Sequence, residues 1–155
     1  MGHVVASLKT RIYNMRYISE IILHSTKTMP DIELDEAALA ALKHQGPDRP
    51  SSFHYLIKRD GAVIRTKTLS QPAAHCYMHN AHSVGIAYEG GLDADGRPAD
   101  TRTDEQRAAL LQLVTKLLKI YRCKVVVHDE LDGHPCANID PKEFAGILKQ
   151  LRPPK

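Results

Sequence analysis

The chain of 155 residues has no long hydrophobic run: its longest apolar stretches, such as Ile21 to Leu23 and Val125 to Val127, fall far short of a membrane span. No membrane insertion is expected. Nor is there an excess of one charge. Lys and Arg number 21 and Asp and Glu 18, a net +3, and the basic residues are scattered among acidic ones. The footprint of a nucleic-acid binder is therefore missing. Tryptophan is absent, and cysteine occurs only as Cys76, Cys123 and Cys136. An odd number at wide spacing does not form a disulfide framework, so at least one thiol is free or bound to something. Met1 to Leu8 lacks a basic region followed by a long apolar stretch, so no secretory signal is expected here, and the chain is expected to be made in the cytoplasm. Repeats and low-complexity segments are absent too. With 43% hydrophobic and 25% charged residues the composition excludes disorder, collagen and coiled coil, and the length suits one domain over residues 1–155.

What the chain does have is nine histidines, a high share, and alternating strand and helix signals. Ser19 to His24 (SEIILH) predicts a buried strand whose last side chain emerges at the sheet edge. Leu34, Ala38, Ala41 and Leu42 recur at helical spacing, stopped by Gly46-Pro47, and Gly46 to Ser52 is a loop. Phe53 to Lys58 and Ala62 to Thr66, joined by Arg59-Asp60-Gly61, predict a hairpin. Ser83 to Tyr88 is a further strand. The Asp93, Asp95, Gly96 run lacks the distal ligand of a calcium loop and is expected to be a solvated turn. Thr103 with Gln106 makes a capping box ahead of an apolar stripe at Leu110, Leu113, Val114, Leu117 and Tyr121. Lys124 to His128 (KVVVH) is a strand ending in histidine, and Asp140-Pro141 with Glu143 opens a last helix to about Leu151. The expected fold is α/β: one domain with a central mixed sheet and about three helices.

Two strands thus end in histidine, His24 and His128, and Cys136 follows in a loop with Gly133 and Pro135. Two imidazoles and a thiolate are a donor set that zinc accepts, with a fourth position left open as in catalytic sites. On spacing alone, the two histidines are equally well polar residues closing their strands.

The order of motifs goes further. Ile21 to Thr28 (IILHSTKT), Phe53 to Gly61 (FHYLIKRDG), Ala74 to Gly91 (AHCYMHNAHSVGIAYEGG) and Val127 to Asp140 (VHDELDGHPCANID) together resemble the N-acetylmuramoyl-L-alanine amidases of the phage T7 lysozyme type, a family that includes the peptidoglycan recognition proteins. The resemblance runs from about Glu20 to Phe144, and Gly90 to Thr103 looks especially like small bacterial or prophage members. It implies a zinc hydrolase that cuts the amide between N-acetylmuramic acid and the L-alanine of the stem peptide. The family's metal ligands fall on His24, His128 and Cys136.

The chain also departs from that pattern. A Tyr that assists catalysis in the family is Phe53 here, and the family's Lys two residues before the Cys is His134, which can donate a hydrogen bond or carry a proton. Tyr55, two residues from Phe53, would share its face on a strand, so its hydroxyl is a candidate replacement; the alternative is a Tyr packed in the core. The Pro usual after the Cys is Ala137, with Pro135 just before it. His75, Asn80 and Ser83 match a family segment lining the substrate groove. His75 is expected to hydrogen-bond the oxyanion or the glycan, the alternative being a surface histidine or one supporting the site from behind. His54, His79 and His82 are expected at the surface or behind the site, and Cys76 and Cys123 as buried small hydrophobes.

The expected activity is zinc-dependent hydrolysis of the muramoyl to L-alanine amide by a monomer acting on the cell wall or its fragments. Peptidoglycan or muropeptide is the expected partner. The alternative is a non-catalytic peptidoglycan-binding module that keeps the zinc site, supported by the lost Tyr hydroxyl. Retention of the Cys favours the enzyme.

Overall fold

The computed structural model describes residues 16–34 and 53–151. Beyond Leu34, which is described and not helical, the helix expected over Leu34 to Leu42 and the whole loop from Gly46 to Ser52 lie outside the described residues. All five expected strands form: β1 (Glu20–Ser25), β2 (Tyr55–Ile57), β3 (Val63–Arg65), β4 (Ser83–Tyr88) and β5 (Lys124–Val127). They make one sheet in the order β3-β2-β4-β1-β5. β1 lies between β4 and β5 and is parallel to both, β2 is parallel to β4, and β3 closes the edge antiparallel to β2. The sheet is therefore mixed, and four strands deliver their carboxyl ends to one edge. In open α/β sheets that edge is where ligands bind.

Strand alternation sorts the sheet into two faces. Ile21, Leu23, Ile57, Val84, Ile86, Tyr88 and Val127 belong to the main core, and helix α1 (Asp104–Tyr121) fills it with Leu110, Val114, Leu117 and Leu118. Ile22, His24, Leu56, Gly85 and Ala87 alternate with these residues and so face the other way. The capping box forms as the sequence predicts: Thr103 Oγ1 accepts from the Gln106 N–H and Gln106 Oε1 accepts from the Thr103 N–H. Gln106 also does more. Its buried Nε2 donates to Ile57 O and Glu89 O, at 3.1 and 2.9 Å, tying the start of α1 to the ends of β2 and β4.

Three boundaries differ from expectation. β1 runs one residue further, to Ser25, so His24 is buried inside the strand instead of emerging at its end. β5 stops at Val127, and His128 opens a short helix, α2 (His128–Asp132), in which the Glu130 carboxylate accepts from the Val127 N–H. The last helix is reduced to α3 (Ile147–Gln150), because the residues before it make turns with i to i+3 bonds: the Glu143, Ala145 and Ile147 amides donate to Asp140, Lys142 and Phe144. Glu143 is meanwhile drawn to the buried guanidinium of Arg102, which it shares with Asp100. The Asp93 run is a turn, its carboxylate taken by the Asp95 and Arg97 amides. Cys76 and Cys123 are buried and free. No helix among the described residues is long and apolar enough to cross a membrane.

Candidate metal centre

His24 reaches the carboxyl edge of the sheet from β1, His128 from the first turn of α2, and Cys136 from the loop after α2. One donor atom from each lies within 4.8 Å of the other two, a grouping that can hold a metal ion. His24 Nδ1 is 3.8 Å from Cys136 Sγ, and the two imidazole centroids are 4.6 Å apart.

The fit to a metal is tested by His128. Its Nε2 lies 3.1 Å from Asp132 Oδ2, so the carboxylate holds the ring proton there, and its buried Nδ1 has no hydrogen-bond partner. A buried imidazole nitrogen left without a partner costs stability unless something fills the place. A metal ion does so, and a carboxylate on the far nitrogen of a liganding imidazole is the usual support.

The Cys136 loop is held from two sides. Asp129 accepts from the amides of Cys136, Ala137 and Asn138, at 3.2, 2.8 and 3.1 Å. Ser25 Oγ donates to Cys136 O at 2.5 Å. That contact needs Gly91, at φ +99°, because a Cβ there would sit 2.0 Å from Ser25 Oγ. Asn138 Nδ2 closes the loop onto Gly91 O and Ala99 O. Burial pushes the Cys136 thiol up, and burial together with the neighbouring His75, His128 and Lys27 charges holds His24 well below the usual imidazole range.

The other expected site residues are distributed as follows. Phe53 stands beside the cluster, its ring 5.3 Å from that of His24. Tyr55 does not join it. The chain bends at His54, β2 starts only at Tyr55, and Tyr55 pairs with Ile86 and packs against the α1 core. The two-residue alternation from Phe53 therefore fails, and Tyr55 does not replace the missing hydroxyl. His134 is exposed, and its backbone N–H donates to Asp132 Oδ1 at 2.9 Å, so the turn carrying it is tied to the carboxylate that holds His128.

Both ring nitrogens of His75 are engaged within the protein, so it does not offer the groove contact expected of it, whereas Asn80 uses its side-chain oxygen within the protein. Asn80 Oδ1 accepts from the amides of His75 and Cys76. His75 Nδ1 lies 2.8 Å from His24 Nε2, and its Nε2 lies 2.8 Å from Ser83 Oγ. His54 is fully buried: its Nδ1 accepts from the Gly85 N–H and its Nε2 lies 2.7 Å from Gln71 O. His79 pairs with the buried Glu20.

Sequence reasoning missed Asp129, Asp132, Ser25 and Lys27. The Asp129-x-x-Asp132 spacing was the signal available for the two carboxylates, since it directly follows the candidate ligand His128. Lys27 is exposed and in the left-handed region (φ 54°); its charge helps hold His24 down and opposes the upward push of burial on Cys136.

This is a mixed α/β sheet carrying a His-His-Cys cluster at its carboxyl edge. The Amidase_2 family, described as N-acetylmuramoyl-L-alanine amidase, matches residues 14–143, and the chain belongs to it. The endolysin of Escherichia phage T7 is 26% identical over 125 residues, covering 80% of this chain and 83% of the phage protein. Among solved structures, the N-acetylmuramoyl-L-alanine amidase LysC from Clostridium intestinale URNW superposes with a TM-score of 0.64 at 21% identity, covering 90% of this chain and 87% of LysC. Drosophila Peptidoglycan Recognition Protein (PGRP)-SA gives a TM-score of 0.60, also at 21% identity, covering 84% of this chain and 79% of its own. The last two likenesses concern the fold.

Proposed function

We propose that the protein is a zinc-dependent amidase that hydrolyses the bond between N-acetylmuramic acid and L-alanine in peptidoglycan or its fragments. The observation that carries this reading is the His24, His128 and Cys136 cluster, with the free buried Nδ1 of His128, in a chain that belongs to the amidase family. Two imidazoles and a thiolate suit zinc, and three protein donors leave a position open. When bound, zinc polarises a carbonyl and makes water nucleophilic near neutral pH.

The chain's own residues do the rest. Asp132 keeps the proton of His128 on Nε2, which leaves Nδ1 as a donor to the metal. Asp129 and Ser25 fix the Cys136 backbone so that Sγ faces His24 Nδ1. Phe53 supplies an apolar wall beside His24. His134, exposed two residues before Cys136, is the group assigned to the oxyanion, where a donated hydrogen bond stabilises developing charge.

Digestion of purified muropeptides, with and without a chelator, tests the assignment. Mass spectrometry should show stem peptides that begin in L-alanine and intact glycan strands, and chelation should stop their release. Cuts within the sugar chain or between peptide residues would point to another reaction class. Phe53 supports one second reading, a peptidoglycan-binding module without turnover, since no tyrosine hydroxyl stands where the family has one. Zinc-dependent retention on peptidoglycan with no released peptide would favour it. Metal analysis should return about one zinc per chain, and Cys136→Ala should lose most of it.

A further inference from the structure

The two histidines of the cluster are held in the same way by different chemistry. Each turns Nδ1 inward and gives Nε2 to a partner: His128 to Asp132, and His24 to His75. A carboxylate is an acceptor by nature. An imidazole accepts at Nδ1 only when its own proton sits on Nε2, and something must keep the proton there.

Ser83 Oγ, 2.8 Å from His75 Nε2, can accept it; because a hydroxyl also donates, the direction of the pair is set from the other end, where a metal on His24 Nδ1 leaves the His24 proton on Nε2. The ring can reach both partners only by lying against β4 at Gly85, where an added Cβ would meet the imidazole Cγ at 2.7 Å. The backbone carrying the ring is fixed as well, through Asn80 Oδ1 on the His75 and Cys76 amides. Arg16 then clamps the segment to the sheet, donating to the carbonyls of Leu69, Asn80, Ala81 and Ser83.

We propose that His75 is a positioning residue for the metal centre: with the Ser83 hydroxyl accepting its Nε2 proton, His75 Nδ1 accepts the Nε2 proton of His24 and leaves His24 Nδ1 free for zinc. This rests on the zinc reading above and deepens it by assigning the support of the second imidazole ligand. It also explains why a glycine occupies the middle of a central strand, where a side chain would normally pack.

The test uses the full chain loaded with zinc or cobalt. Zinc affinity is measured by chelator competition for the wild type, His75→Ala and His75→Asn, and the cobalt forms are compared by their visible spectra. Loss of an outer support typically costs about 10–100-fold in metal affinity. His75→Ala should fall in that range with an altered cobalt spectrum, whereas His75→Asn, whose amide oxygen takes the place of Nδ1, should recover most of both. Long-range proton–nitrogen correlation on the zinc-loaded wild type should find His24 and His75 both protonated at Nε2, a reading that needs no variant to fold. Wild-type affinity and spectrum in His75→Ala, or a His75 protonated at Nδ1, would overturn the proposal and leave the zinc reading standing. A wild-type chain that binds no zinc would instead overturn the zinc reading itself.

Discussion

His128 faces Asp132 one helical turn further on, with Nε2 3.1 Å from Oδ2, while its opposite ring nitrogen is buried and unpartnered. The same carboxylate takes the His134 N–H on its other oxygen, and that bond holds the Asp132 carboxyl below its ordinary range. Asp132 therefore fixes both a ligand ring and the turn leading to Cys136. Asp132→Ala is expected to weaken zinc binding by about 10–100-fold, the usual effect of losing such a support. Asp132→Asn should lose less, because its amide oxygen still accepts from Nε2. Chelator competition measures both, and unchanged affinity in Asp132→Ala would show that α2 alone positions the ring.

The metal donors were legible in the sequence to different depths. His24 and His128 stand out because short apolar runs end at or beside them, and that pattern also predicts the five strands. Cys136 was a candidate third donor from its place in the loop after His128, and the family's motif order supported it, since nothing local ties a loop thiol to a strand 111 residues earlier. The carboxylate supports Asp129 and Asp132 were not read from the sequence, and for His75 a supporting place was only the alternative, with no partner named. His75 and His24 are 51 positions apart, and their hydrogen bond exists because Gly85 lets an imidazole lie on β4, a consequence of packing that no spacing rule contains. Tyr55 failed for a local reason: alternation was counted from Phe53, but the strand begins after the bend at His54, whose buried ring is held by Gly85 and Gln71.

That placement makes Tyr55 testable against Phe53. Tyr55→Phe removes a hydroxyl that packs beside α1, so kcat/KM should stay within a factor of about two of wild type, as for a change remote from the chemistry. Phe53→Tyr puts a hydroxyl next to His24 and should raise kcat. A large loss of activity in Tyr55→Phe, with folding intact, would return Tyr55 to the site.

His54 gives the fold a pH dependence of its own. Burial, assisted by the Arg16 and Lys67 charges and opposed by its bond to Gln71 O, lowers it to about 4. Its ordinary value is 6.5, so the unfolded chain takes up the proton first as pH falls. The stability that His54 contributes is therefore present above about pH 6.5 and is lost as pH falls from there through about 4, a decline on the order of 3 kcal/mol. Urea unfolding of the metal-free protein between pH 7 and pH 4 measures it. His54→Gln should be less stable at pH 7 yet show a shallower decline. Parallel declines in the two proteins would mean that other groups govern the acid limb.

The last expectation concerns His134, which stands where the family has a lysine. Its ring is exposed, its backbone is tied to Asp132, and Cys136 follows two residues later, so the side chain leaves the backbone at the rim of the cluster. A neutral imidazole donates one hydrogen bond to a developing oxyanion, and a cation would donate a stronger one. Lys27, a cation whose charge reaches both His24 and Cys136, follows the end of β1, and its backbone N–H donates to Ser25 Oγ. If His134 donates to the oxyanion, His134→Ala should lower kcat by roughly a hundredfold or more, as removal of one such donor does, while zinc content and KM change little. His134→Lys should keep most of the rate. Assay of both variants at full zinc occupancy decides the matter, with Lys27→Ala alongside. Wild-type turnover in His134→Ala together with a collapse in Lys27→Ala would transfer the oxyanion role from the Cys136 loop to the end of β1.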